Sequence, residues 1–425
     1  MAAMAYLPDG YRVVAVPESR KDEFLAVDHL AFAFEPDEAT SAIVPDTLEW
    51  DRTMAVERPD GRLAAVHSSF DFRLPVPGGE VECAGLTWVG VRPDERRKGL
   101  LTAMIETHFQ RSLDRGEAVS ALFAAEPAIY GRFGYGLAAD DLRLKIPRGA
   151  RLRDVPGADA LTLTLDTVDR AVHTDLVHHV HTAAGRGRPG WITRDTDALR
   201  TRAIVDPPAW REGKEPLRIA VVRDADGAPR AFALFARKET WADEGPRYPV
   251  SVRQAVALDA AAARRLWGFL LDLDLTSHVE VGMLPVDDAL THLLVDPRSA
   301  LPRVTDNLWT RILDVPAALA ARRYAAPVDV VLDVSDRHVA ANARRWRLTT
   351  TATPQGGSFA ATVAPTDDAA DLALDVRELS AAYLGGRGLA SYAAAGLVAE
   401  HRDGALASAA VAFGWPLAPV CSWVF

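Results

Sequence analysis

One stretch of this chain brings together the residue types that hold a pyrophosphate. It runs Thr87-Trp88-Val89-Gly90-Val91-Arg92-Pro93-Asp94-Glu95-Arg96-Arg97-Lys98-Gly99-Leu100-Leu101-Thr102. Its apolar half reads as a buried strand, its basic middle as a loop, and its end as the first turn of a helix. Backbone N–H groups at a helix N-terminus have no intrahelical partner, and the helix dipole favours an anion there. Arg96, Arg97 and Lys98 add full positive charges at the same spot. Gly99 has no side chain, so phosphate oxygens can come close to the backbone. Gly90, inside the strand, predicts a bulge or a close backbone approach. A bulge would turn strand N–H groups toward a thioester carbonyl, an oxyanion-type arrangement.

Two familiar phosphate loops do not fit. The Walker loop needs more glycines and a Lys-Ser/Thr ending, the Rossmann fingerprint needs Gly-x-Gly-x-x-Gly, and neither is present. The stretch is similar to the Arg-x-x-Gly-x-Gly/Ala pattern that binds coenzyme A in the GNAT acetyltransferases. Arg96, Arg97, Lys98 and Gly99 match it, while Leu101 stands where a small residue is usual. Taken alone, a basic loop before a helix also reads as a solvated turn. Support comes one predicted strand further on, after residues 118–124. There the chain reads Ala125-Glu126-Pro127-Ala128-Ile129-Tyr130-Gly131-Arg132-Phe133-Gly134-Tyr135-Gly136. In that position the run from Ile129 closely resembles the Eis ("enhanced intracellular survival") acetyltransferases. The resemblance implies that a tyrosine here protonates the departing thiolate. Tyr130 matches that place, with Tyr135 as second candidate; apart from the cradle, either would read as a core aromatic in a glycine-rich turn. A phenol of pKa about 10 can protonate a thiolate formed in place.

The chain ends Phe413-Gly414-Trp415-Pro416-Leu417-Ala418-Pro419-Val420-Cys421-Ser422-Trp423-Val424-Phe425. Most termini are polar and frayed; an apolar, aromatic, proline-fixed end predicts insertion into the protein. The resemblance implies that the carboxylate of Phe425 enters the first domain's site as general base. The alternative is a packing plug. An α-carboxyl of pKa about 3.5 is a weak base, so burial must raise it or an ordered water must relay the proton. Val424 stands where many relatives carry an acidic residue, so that contact to a cationic substrate is missing.

The resemblance also implies how acetyl-CoA lies. The N–H groups of Val89, Gly90 and Val91 hold the acetyl carbonyl and pantetheine. Arg97, Lys98, Gly99, Leu100, Leu101 and Thr102 hold the pyrophosphate, and Ala125 and Glu126 flank the pantetheine. The expected reaction is direct N-acetylation of a primary amine through a tetrahedral intermediate, with aminoglycoside-type polyamines as acceptors. Protein or peptide lysines are the alternative acceptors, and a non-catalytic lipid-binding or scaffold protein is the alternative class.

The positioning elements follow from the rest of the sequence. At 425 residues the chain is too long for one core. Hydrophobic residues make up 49% and charged residues 25%, as in an ordinary globular protein. No apolar run reaches membrane-spanning length and no signal pattern opens the chain, which predicts a cytoplasmic protein without a membrane partner. A net charge of −10 argues against nucleic acid. Cys83 and Cys421 lack metal-ligand spacing, and His173, His178, His179 and His181 do not place three imidazoles on one helical face; no metal is expected.

Residues 53–73 read as two strands around Pro59-Asp60-Gly61, and residues 101–113 as the helix behind the cradle. Upstream, a helix places Phe24, Val27, Ala31 and Phe34 on one stripe. Asp28 and Glu35 on that segment read either as solvated charges or as holders of a cationic substrate. A hairpin at residues 217–235, a strand near 254–259 and a helix at 260–270 repeat the first unit. Alanines replace the basic glycine loop there, so the second copy is expected to have no coenzyme A site. Strands and a helix after residue 309, joined in part at Pro354-Gln355-Gly356-Gly357, resemble the sterol-carrier-like fold that closes Eis proteins. The expectation is therefore a mixed α/β chain of tandem GNAT folds, the second degenerate, then a sterol-carrier-like domain. Its divisions are 1–150, 151–308 and 309–425, and the resemblance implies a homohexamer built as a dimer of trimers.

Overall fold

A computed structural model describes residues 7–354 and 356–425, so Gln355 of the expected turn lies outside the described residues. The first sheet contains β1 (Arg12–Ala15), β2 (Met54–Glu57), β3 (Leu63–Val76), β4 (Gly79–Val91), β5 (Val119–Leu122) and β6 (Gly136–Leu137). β3 and β4 form a long antiparallel hairpin over the Pro77–Gly78 turn, where Gly78 takes φ +63°, a conformation glycine adopts freely. Helix α1 (Lys21–Phe32), the short α2 (Glu38–Ile43) and α3 (Leu100–Asp114) belong to this unit. α1 buries Phe24 and Val27, as its periodicity predicts, but it stops at Phe32 because Ala33 turns left-handed at φ +56°. Phe34 therefore leaves the stripe and is exposed.

The second sheet runs β15-β7-β14-β13-β10-β9-β8. Its strands are β7 (Asp140–Pro147), β8 (Thr162–Thr167), β9 (Arg218–Arg223), β10 (Pro229–Arg237), β13 (Tyr248–Ala257), β14 (Thr276–Leu284) and β15 (Arg303–Asp306). A small ribbon of β11 (Trp241–Ala242) and β12 (Gly245–Pro246) interrupts them. Helices α5 (Arg170–Ala184), α6 (Asp197–Ile204) and α7 (Ala260–Leu271) cover it, α4 (Pro127–Tyr130) having closed the first unit.

The sheets do not follow the linear divisions expected from the sequence. β16 (Trp309–Ile312) opens the expected third domain, yet it inserts between β5 and β6 of the first sheet. β7 falls before residue 150, yet it pairs with β14 and β15 in the second sheet. The two copies thus exchange strands, and hydrogen-bonded pairing decides membership where chain order does not.

The third domain is a six-stranded sheet whose strands begin at Arg323–Tyr324 and end at Val398–Glu400, with helices Val376–Ala382 and Ala405–Phe413 among its layers. It is not a separate globule. One hydrophobic core joins Phe70, Phe72 and Leu74 of β3 to Leu332, Leu348 and Leu379 of this domain. Arg311 of β16, fully buried, is fastened by both Asp336 oxygens at 2.7 and 2.8 Å and donates to the Phe133 carbonyl at 2.8 Å. A buried charge needs such partners, and this one ties the tyrosine-bearing turn to the third domain.

Candidate active site

The site grows from a break in β4. Val66 pairs with Gly90 and Ser68 with Thr87, so two residues of β4, Trp88 and Val89, face the single His67 of β3. This is a β-bulge, and Trp88 takes φ +55° within it. The bulge falls just before Gly90, and Gly90 itself supplies the close approach: a Cβ there would lie 3.2 Å from the Ala31 Cβ on α1. On the other side β4 runs parallel to β5 only from Cys83 to Gly85. Beyond that pairing β4 continues to Val91 while β5 ends, so the two strands part into a wedge.

At the end of β4 the chain makes a single 3₁₀ turn and enters α3. Arg97 and Gly99 both take positive φ, +65° and +81°. Gly99 is the N-cap of α3, and no side chain among the described residues caps it. The N–H groups of the first helical turn are thus left for a ligand. In the second copy the equivalent helix, α7, is N-capped by Asp259, whose carboxylate accepts from the Ala262 N–H at 2.8 Å and from Arg230. The chain's own anion fills the place that the first copy leaves open.

The wedge opens into a cleft of about 660 Å³. Val89, Gly90 and Val91 line one wall, and Arg96, Arg97, Gly99, Leu100, Leu101 and Thr102 line its basic end. Ala125, Glu126, Ile129 and Tyr130 close the opposite wall. Of the residues expected at the cradle, Lys98 is the one turned away. Its Nζ donates to Glu95 Oε2 at 2.8 Å, and Tyr11 donates to the same oxygen, also at 2.8 Å. Arg96 takes the cleft-lining place instead. Burial pushes the Tyr130 phenol up to about 12, with the charge of Glu126 adding to it, so at neutral pH it carries its proton. The Tyr135 hydroxyl is fully buried and bonded to Ser120 Oγ at 2.8 Å, out of the cleft.

Phe425 packs its ring beside Gly85, the last paired residue between β4 and β5, and it is not among the residues that line the cleft. The Phe425 ring meets Phe72 at 4.9 Å, Phe123 at 5.3 Å and Phe70 at 6.2 Å between centroids. Gly85 makes room for this packing, since a Cβ there would stand 2.4 Å from Phe72 and 3.3 Å from Phe425. The tail is held along its length. Asn307 bonds both the N–H and the carbonyl of Cys421, at 2.8 and 3.0 Å. His181 Nε2 meets Ser422 Oγ at 2.7 Å, and Trp423 Nε1 donates to the Ile192 carbonyl at 2.7 Å. His181 of the histidine group thus serves the tail, and His173 bonds the backbone of Asp169. No group of three or more potential metal ligands occurs among the described residues.

Of the two acids whose setting sequence left open, Glu35 is exposed and Asp28 is not; Asp28 is the informative one. It lies on α1 over the bulge, is 2% exposed, and its Oδ1 has no hydrogen-bond partner among the described residues. Burial pushes its carboxyl up to about 6. Its place beside Phe24 and Val27 on the buried stripe was the available clue.

Fold and cleft together define a GNAT acetyltransferase with an altered second copy. Residues 12–138 and 190–312 each match an acetyltransferase (GNAT) domain family, and residues 315–422 match the sterol carrier protein domain. The chain belongs to the Eis family of N-acetyltransferases. It is 34% identical over 356 residues to N-acetyltransferase Eis of Mycobacterium tuberculosis, covering 79% of each chain. It is 43% identical over 385 residues to an uncharacterized N-acetyltransferase of Streptomyces coelicolor, covering 87% of this chain and 88% of that one. Eis1 from Mycobacterium abscessus superposes with a TM-score of 0.80 at 30% identity, covering 98% of this chain and 100% of that one. The protein is an acyltransferase, and no helix among its described residues is long and apolar enough to cross a membrane.

Proposed function

We propose that this chain moves the acetyl group of acetyl-CoA onto a primary amine. The observation that carries this reading is that one cleft joins an uncapped helix N-terminus, a bulged strand and a protonated tyrosine. Its basic end suits a pyrophosphate. Acetyl-CoA supplies the acyl group as a thioester. Arg96, Arg97 and the N–H groups of the first turn of α3 would bind the phosphates, and the N–H groups around the bulge would donate hydrogen bonds to the carbonyl oxygen as charge develops on it. The amine nitrogen adds to the carbonyl carbon to give a tetrahedral intermediate, whose collapse breaks the carbon–sulfur bond. Tyr130 gives its proton to the sulfur, and the Phe425 carboxylate takes the proton the amine must lose.

Polycationic aminoglycosides are the acceptors proposed from the family resemblance, with the enzyme working as a homohexamer. Asp28, buried beside Gly90 with its Oδ1 unpartnered among the described residues, would favour a cationic amine nearby. A thiol-release assay with acetyl-CoA and a panel of amines tests the reading. Wild-type protein should release free coenzyme A only with an amine present, and Tyr130→Phe should lose about a hundredfold or more in kcat while staying folded. Full activity in Tyr130→Phe would remove the phenol from the mechanism.

A further inference from the structure

The turn that carries Tyr130 is fastened from outside at its far end, where two successive carbonyls are held. Arg311 donates to that of Phe133 at 2.8 Å. The carbonyl of Arg132 accepts from His338 Nε2 at 3.1 Å. His338 follows the strand Asp329–Ser335 of the third domain, and its backbone N–H donates to Asp336 Oδ1 at 3.0 Å. Its second ring nitrogen, Nδ1, meets Glu106 Oε1 at 3.2 Å. Glu106 lies on α3, one turn past Thr102 on the same face. Thr102 lines the basic end of the coenzyme cleft, and Arg132 belongs to the opposite wall. One imidazole of the third domain thus bridges the helix that would receive the phosphates and the turn that carries the phenol.

Its partners fix its charge. A backbone carbonyl can only accept, so Nε2 must donate. An ionised carboxylate can only accept as well, so Nδ1 must donate too. A neutral imidazole has a single N–H and would set a bare lone pair against Glu106. The imidazolium satisfies both, and histidine is the side chain that gains or loses its charge between about pH 5 and 8. The ring packs against Phe133 at 5.3 Å and Phe109 at 6.4 Å between centroids. Its side chain is 10% exposed, on a cavity of about 350 Å³ from which water can exchange the proton. The charged groups around it come from every side. Glu106 faces it from α3, and the Arg132 guanidinium lies over Phe133 at 4.9 Å. Asp336, two residues before it, is held by Arg311 through both oxygens, and Arg337 stands next to it. Asp375, Arg377 and Glu378 line the same cavity. Of these carboxylates, Glu106 is the one bonded to the ring.

We propose that His338 is a positioning residue for Tyr130: as an imidazolium it sets the gap between α3 and the tyrosine turn, and so the reach of the phenol to the thioester sulfur. The bridge is intact while both ring nitrogens carry protons. As pH rises and Nδ1 loses its proton, the bond to Glu106 is lost and proton transfer to the sulfur slows. The proposal rests on the acetyl-transfer reading above and deepens it by giving the third domain a part in the chemistry.

The test is kcat from thiol release across about pH 6 to 9, with acetyl-CoA saturating and tobramycin as acceptor, or benzylamine where that is the faster. Each variant is taken as a ratio to the wild type, which cancels the ionisation of the acceptor. The single amide of His338→Gln cannot bridge both partners. Its kcat should trail the wild type about tenfold near pH 6 and draw level near pH 9. Its KM for acetyl-CoA should hold within about twofold, because α3 is seated independently by its buried Leu100, Met104 and Ile105. Glu106→Gln keeps the ring and its packing. Its amide can offer oxygen to an N–H or its NH₂ to a bare nitrogen, so it serves either form of the imidazole. This variant should overtake the wild type about tenfold near pH 9, and it decides alone if His338→Gln does not fold. Ratios that do not vary with pH, the result of a merely structural part for His338, would overturn the proposal and leave acetyl transfer standing. No thiol release with any amine would overturn acetyl transfer and the positioning role together.

Discussion

Asp28→Asn removes a buried charge with almost no change of shape. Asp28 is 2% exposed with no charged partner among the described residues, and burial raises its carboxyl from an ordinary 3.8 to about 6. In an unfolded segment it titrates near 3.8. The folded form therefore binds its proton more tightly, which sets the sign. Below pH 3.8 both forms are protonated and the group costs nothing. As pH rises toward 6 the opened form ionises first, and stability is lost. Above 6 the whole penalty applies, about 3 kcal/mol at 1.36 kcal/mol per unit. Roughly half of that, about 1.4 kcal/mol or tenfold, falls between pH 5 and 7.5. Because three domains rarely unfold in one step, the measurement should be local: hydrogen exchange of the α1 amides, corrected for the intrinsic effect of pH. Wild-type protection should drop about tenfold over that range, and that of Asp28→Asn should stay level. The unpaired amide of the asparagine adds an offset that does not vary with pH and cancels from the comparison. Parallel curves for the two proteins would show that Asp28 titrates as an ordinary solvated carboxyl, and its part in amine binding would fall with it.

Two further outcomes bear on the cleft. Adding one alanine after Phe425 should displace the terminal carboxylate and lower kcat about a hundredfold, while the KM for acetyl-CoA holds; steady-state kinetics would show it, and unchanged kcat would reduce the tail to a packing plug. Gly90→Ala should be tolerated at 3.2 Å from Ala31, whereas the added methyls of Gly90→Val should push α1 off β4 and cost about 1–3 kcal/mol, visible as a lower thermal midpoint in the valine variant alone.

The legible parts of this protein were the local ones. The cradle declared itself because a strand, a cationic loop and a helix start are consecutive in the chain. The loss of the second cradle was equally plain, since alanines stand where glycine and cations would be, although sequence did not reveal that Asp259 takes over the helix end. Long-range facts left no local trace. Trp309–Ile312 reads as an apolar strand whichever sheet receives it, so its place beside β5 could not be inferred from its pattern. Lys98 and Arg96 are both cations in one loop, and only the buried Glu95, drawing Lys98 back, decides which of them lines the cleft. Arg194, Arg202 and Arg253 are scattered over sixty positions and come to line one cavity only once α6 and β13 have packed.

The insertion of Trp309–Ile312 into the first sheet also affects biosynthesis. Until the ribosome has made those four residues, β5 leaves it with one flank bare, and all four of its side chains belong in the interior. An apolar strand with a bare flank is a template for pairing with another chain. The nascent amino-terminal unit must therefore wait, partly assembled, through synthesis of the entire middle portion, and throughout that interval it is the species most in need of a holdase. Truncations ending before Trp309 should accordingly be recovered as aggregates rather than as a working miniature enzyme.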